Sequence, residues 1–124
     1  MGYEFVVPDH VVDEITYPDQ ASALEEAVAY GWLRKEAISD VAEVELYAGL
    51  RSRMGKGEAA CLAICTHRGW VLASDDRGRA FVRLVEKYIG NDRLVDTMTV
   101  VDRAVAQGAM SQKEADEVRD TVLS

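Results

Sequence analysis

Carboxylates fall at three points of this chain where folded proteins do chemistry. Glu58 opens residues 58–66 (EAACLAICT), the most apolar stretch in the sequence. Asp75 and Asp76 follow a four-residue apolar run, residues 70–73, and precede a helical pattern. That puts them at the carboxyl edge of a buried strand, where open α/β sheets bind ligands. Asp13 and Glu14 come just after the first strand-like segment and are expected at the same edge. Hard cations such as Mg²⁺ take carboxylate oxygens from separate elements, and a pair of such ions can clamp both oxygens of a phosphodiester being cleaved. Each acid also has a plain structural role open to it. Glu58 complements a helix dipole, and the Asp75-Asp76 pair suits a helix cap and turn.

The basic residues are unevenly placed. Between Arg51 and Lys87 lie Arg51, Arg53, Lys56, Arg68, Arg77, Arg79, Arg83 and Lys87, against the acids Glu58, Asp75, Asp76 and Glu86. That stretch is therefore +4 in a chain whose net charge is −8, which leaves −12 for the rest. A basic zone with embedded acids suits a phosphate-bearing substrate brought to a metal; a solvated, Arg-rich face is the structural alternative. The overall acidity excludes a general-purpose nucleic-acid coat.

Other chemistries find little support. Cys61 and Cys65 share a helical face inside an apolar run with no further cysteine, so packing is expected. His10 and His67 have no partner at ligand spacing and read as surface residues. Gly55-Lys56-Gly57 lacks the span and the Ser/Thr of a phosphate-binding loop, and no Gly-x-Ser-x-Gly occurs. An acid pair serving as a phospho-acceptor would need a further Lys at a strand end, and none is evident.

The elements that must position these residues follow from pattern. Strands are expected at residues 3–7, 32–38, 70–73 and 94–95. Pro8 is expected in the first turn of a short helix bearing Val11, Val12 and Ile15. A second helix spans 18–30 with Ala23, Leu24, Ala27 and Val28 inward, closed by Gly31. A third follows a Ser39 or Asp40 cap and buries Val41, Val44, Tyr47 and Ala48. The all-round apolar helix over 58–66 comes next, then one burying Ala80, Phe81, Leu84, Val85 and Tyr88 up to Gly90. Two helices end the chain, 97–107 and 111–123, the latter opened by the capping box Ser111-x-x-Glu114. Strands interleaved with helices predict an α/β fold with a mainly parallel sheet. At 124 residues, 48% hydrophobic and with 2 Pro, the chain is expected to form one globular domain over 1–124. It has no long apolar run for a membrane. With two cysteines and no basic, apolar leader, a reduced cytoplasmic setting is expected.

Gly57-Glu58-Ala59-Ala60, the alanine-rich helix, Gly69, the apolar strand and Ser74-Asp75-Asp76-Arg77-Gly78-Arg79-Ala80 together resemble the second half of a PIN domain. The opening Phe5 to Ile15 segment (FVVPDHVVDEI) resembles the piece after the first helix of such proteins, which carries their second acid. The resemblance implies a three-layer α/β/α sandwich and a Mg²⁺- or Mn²⁺-dependent ribonuclease, often the toxin of a toxin–antitoxin pair. It implies Glu14, Glu58 and Asp76 as catalytic metal ligands, with Asp75 a neighbouring or alternate one. Arg51, Arg53, Lys56, Arg77, Arg79 and Arg83 would guide single-stranded or structured RNA. The sequence departs from the family pattern in one respect: the usual first strand, with the first metal-binding Asp, is not found in it. Three explanations fit. The chain is a piece of a longer enzyme; a partner chain or symmetric dimer supplies the strand and acid; or it is a PIN-like module that binds RNA or a protein, such as an antitoxin, without cleaving. An uncovered sheet edge predicts a homodimer.

Overall fold

A computed structural model describes residues 5–31, 33–108 and 110–123. The chain divides into two compact units, Met1–Trp70 and Val71–Ser124. The class is α/β, mostly helical with small parallel sheets, consistent with the expected PIN-like fold. Tyr3, Glu4 and Trp32, expected in strands, lie outside the described residues.

In the first unit, β1 (Val6–Pro8) pairs in parallel with β2 (Arg34–Glu36), Val6 opposite Arg34 and Pro8 opposite Glu36. Between them run α1 (Asp9–Glu14) and α2 (Pro18–Ala29); α3 (Val41–Leu50) and α4 (Lys56–Arg68) follow. Pro8 ends the strand and flanks α1 in extended conformation instead of entering its first turn. Its missing N–H is harmless at either place. The core is α4, where Ala59, Ala60, Leu62, Ala63, Ile64 and Cys65 are buried. Small side chains let α1 and α3 pack closely on it. Gly69, in the left-handed region at φ 72°, stops the helix, its N–H donating to the Cys65 carbonyl.

Two expected faces are corrected. On α3 the buried residues are Glu43 and Leu50, with Tyr47 half-buried, whereas Val41 is 72% exposed and Val44 and Ala48 are exposed. The inward face is turned because Glu43 is drawn in by Arg68. On α2 no residue is fully buried; Ala21 replaces Ala23 beside Leu24, Ala27 and Val28 on the half-buried side.

In the second unit, β3 (Leu72–Ala73) pairs in parallel with β4 (Leu94–Val95). Between them, α5 (Arg79–Tyr88) buries Phe81, Leu84 and Val85, while Ala80 is exposed. A 3₁₀ turn (Asn91–Arg93) leads into β4. α6 (Thr97–Ala106) and α7 (Gln112–Leu123) pack together. The capping box is formed in both directions: the Glu114 N–H donates to Ser111 Oγ and the Ser111 N–H donates to Glu114 Oε1, each at 3.1 Å. No helix among the described residues is long and apolar enough to cross a membrane.

Candidate metal and nucleic-acid site

The first unit carries Asp13, Glu14 and Glu58 of the acids singled out above, and the second carries Asp75 and Asp76. In the first, Glu14 is the last residue of α1, and its carboxylate sits on the first turn of α4. Gly55, which flanks that helix, has no side chain to cap it, and the free N–H groups of a helix start need acceptors. Glu14 Oε1 accepts the Gly57 N–H at 2.8 Å. A Cβ at position 57 would lie 2.7 Å from Glu14 Oε2, so glycine is what allows the carboxylate so close. Glu58 follows in the same turn, half-buried.

Cys61, one turn further along α4, registers both acids. Burial pushes its thiol up to about 12, aided by Cys65 and by the charges of Glu14 and Glu58. The thiol is therefore no nucleophile near neutral pH, in keeping with a packing role. Nearby, Lys56 Nζ lies 3.8 Å from Asp13 Oδ2.

In the second unit, Asp75 and Asp76 stand beyond the carboxyl end of β3. Asp75 accepts from Thr97 twice, from the backbone N–H at 2.8 Å and from Oγ1 at 2.6 Å. The Thr97 hydroxyl, then its N–H, holds the Asp75 carboxyl below the usual carboxylate range. Asp76 Oδ1 accepts the Gly78 N–H at 2.7 Å, while the Asp76 N–H donates to Ser74 Oγ. Arg77 folds back onto the Ser74 and Asp76 carbonyls, at 2.7 and 2.9 Å. This acidic loop is thus ordered by its own backbone.

Two groups escaped the sequence reading. Asp96, directly after β4, caps α6 by accepting from the N–H and Oγ1 of Thr99 at 2.8 and 2.7 Å. The Thr99 hydroxyl and then its N–H hold Asp96 below the usual range. An Asp three residues before a Thr at the end of a short apolar run was the available signal. The second is the Arg68 network. Arg68 Nε and Nη2 donate to the two oxygens of Glu43 at 2.7 and 3.1 Å, Nη1 donates to Glu36 at 3.0 Å, and Nη2 also donates to the Ala37 carbonyl. Its guanidinium carbon lies 5.1 Å from the Trp70 ring centre. Arg68 is thereby withdrawn from the basic zone counted in the sequence. His10 is likewise not a plain surface residue: its ring lies 4.6 Å from that of Tyr47, and its buried Nδ1 has no hydrogen-bond partner among the described residues.

Among the expected RNA-guiding cations, Arg51 donates to the Met54 carbonyl, and Arg53, Arg79 and Arg83 are exposed.

A family model described as a PIN domain matches residues 2–121. The chain belongs to the PIN-domain family. No curated protein and no solved structure gives a significant match. The PIN fold is nuclease-like, and PIN domains generally use divalent metals. The chemistry of the donors here fits such an ion. Mg²⁺ is commonly held by one or two carboxylates plus water, and Glu14 and Glu58 are two carboxylates brought to one helix end from separate elements. Among the described residues, no three His, Cys, Asp or Glu side chains form a group that could hold a metal.

Proposed function

We propose that this PIN domain is a metal-dependent endoribonuclease of toxin type, acting on RNA phosphodiester bonds in the cytoplasm. One observation carries the reading: the Glu14 carboxylate is seated on the Gly57 N–H, in the same helical turn that presents Glu58. The PIN resemblance names Glu14, Glu58 and Asp76 as the ligands of Mg²⁺ or Mn²⁺, with Asp75 as neighbour or alternate to Asp76. Such an ion, when bound, supplies an activated water and stabilises charge on the phosphate. The chain's own part is positioning. Gly57 fixes Glu14 through its N–H, Gly78 does the same for Asp76, and Thr97 orders the loop through Asp75. Arg51, Arg53, Lys56, Arg77, Arg79 and Arg83 would draw in the RNA backbone. A toxin reading brings with it an antitoxin protein as partner, and we include a homodimer, which size-exclusion chromatography at high concentration would reveal.

A specific observation favours a second reading. Glu14, Asp75 and Asp76 each already accept a backbone N–H, as structural acids do. A PIN-like module that binds nucleic acid or protein without cleaving would keep these bonds.

Incubation of single-stranded RNA with Mn²⁺ separates the two. Cleavage by the wild type and none by Glu58→Gln/Asp76→Asn is the expected result. Equal behaviour of the two proteins would overturn the nuclease assignment.

A further inference from the structure

Helix α5 bears cations at every fourth residue: Arg79, Arg83 and Lys87. At 100° per residue they fall within about 80° of helical arc, and all three are exposed. The opposite side carries Phe81, Leu84 and Val85, which are buried, so the row is held facing outward by the core beneath it.

Most other cations of the chain are engaged. Arg34 pairs with Glu36, Lys56 with Asp13, Arg68 with Glu43 and Glu36, and Arg119 with Asp102 and Asp116. Arg77 and Arg51 are tied to carbonyls. Arg79 and Arg83 make no ion pair among the described residues, and Lys87 is set only over the ring of Tyr88, at 5.2 Å. Glu86, the one acid of this helix, is taken up by the Asn91 N–H.

The arrangement works against the helix itself. Like charges four residues apart repel, and Arg79 stands in a first turn that contains no acid, where the helix dipole disfavours a cation. An anion with repeated charge removes both penalties at once. Successive members of the row are about 6 Å apart along the axis, a step comparable with that from phosphate to phosphate along an extended single strand.

We infer that Arg79, Arg83 and Lys87 form a track for three consecutive phosphates of single-stranded RNA. The track deepens the ribonuclease reading and rests on it for the choice of RNA. It adds Lys87 to the residues that hold the strand. It also makes an extended single strand, and not a duplex, the form that is bound.

The test is fluorescence anisotropy with a short labelled single-stranded oligoribonucleotide and wild-type protein in EDTA, so that binding is read without cleavage, over a series of salt concentrations. Three phosphate contacts predict a slope of log K against log salt that is about −2 from this row, with each neutralisation removing about 0.7. Arg79→Gln, Arg83→Gln and Lys87→Gln keep good helix formers and should each shallow the slope. The triple variant should lose about tenfold or more in affinity at low salt. Lys113→Gln, the same charge change on α7, should leave the slope as it is, and circular dichroism of the triple variant should match the wild type.

An unchanged slope in a folded triple variant overturns the inference. So does a duplex of equal length that binds as tightly and depends on the row as strongly, or a row that binds an acidic peptide while ignoring RNA. Row-dependent binding by a wild type that never cleaves with Mn²⁺ upholds the track and sinks the nuclease reading. Cleavage at wild-type kcat/KM by the triple variant does the reverse.

Discussion

The two ends of α4 solve opposite charge problems. At its C-terminal end Arg68 is clasped by Glu43 and Glu36 and lies over Trp70. Positive charge meets negative, donors meet acceptors, and the Glu43 side chain has no exposure left. At the N-terminal end two carboxylates, Glu14 and Glu58, gather at one helix start, and the thiol of Cys61 feels both. A cation at a helix C-terminus and an acid at an N-terminus both agree with the dipole. At the first end one guanidinium serves both carboxylates directly, whereas at the second Lys56 lies 3.8 Å from Asp13 and Glu14 rests on a backbone N–H. The C-terminal end ties β2, α3 and α4 into one unit. The N-terminal end is where the proposed reading seats a metal ion.

This contrast can be broken most visibly at Arg68. Arg68→Ala leaves Glu43 buried without its counter-ion, and losing one member of a buried pair costs about 3–5 kcal/mol. Urea denaturation should show a loss of that size. Arg68→Lys should recover only part of it, since an ammonium cannot make the two-pronged contact.

Acid titration gives the next largest effect. The Arg68 guanidinium holds the carboxyls of Glu43 and Glu36 below the usual range, and Thr97 does so for Asp75. A folded-state value below the unfolded one means that the stabilisation is complete above about pH 5. It is lost as pH falls through the ordinary carboxylate range and then the folded values. Thermal melts should therefore decline steadily on acidification, and Glu43→Gln should flatten that decline while lowering stability at neutral pH.

Gly57→Ala separates the two ends from each other. The added Cβ would stand 2.7 Å from Glu14 Oε2 and displace that flexible carboxylate from its N–H. Alanine in a helix gains about 1 kcal/mol over glycine, and a lost cap costs about the same, so the melting temperature should hardly move. RNA cleavage should nonetheless fall sharply. Unchanged cleavage with Glu14 displaced would show that this carboxylate is a cap and nothing more. The smallest effect is expected far from both ends. Ser111→Ala breaks the capping box of α7 and should cost about 1 kcal/mol or less, read as faster amide exchange in the first turn of that helix.

Much of this architecture was legible in the sequence because its signals are local. Gly69 and Gly90 end helices at positive φ, and Ser111 with Glu114 starts one. The Leu94-Val95 strand and the apolar α4 stand out by pattern alone. The inward face of α3 did not, because its decisive residue is polar. Glu43 is buried for the sake of Arg68, 25 residues later, and no periodicity rule anticipates an acid in a core. Glu14, Glu58, Asp75 and Asp76 were legible as candidates through their motif context. The bonds that hold them, from Gly57, Thr97 and Gly78, were not, since two of the three cross between elements and depend on which turns meet.

The proposed function requires that the N-terminal end of α4 bind a cation and that the C-terminal end not do so. Calorimetric titration of Mn²⁺ into the wild type, Glu14→Gln, Glu58→Gln and Glu36→Gln addresses it directly. Binding that weakens at least tenfold in the first two variants and persists in Glu36→Gln is the predicted result. Mn²⁺ affinity that is the same in all four proteins would contradict the account.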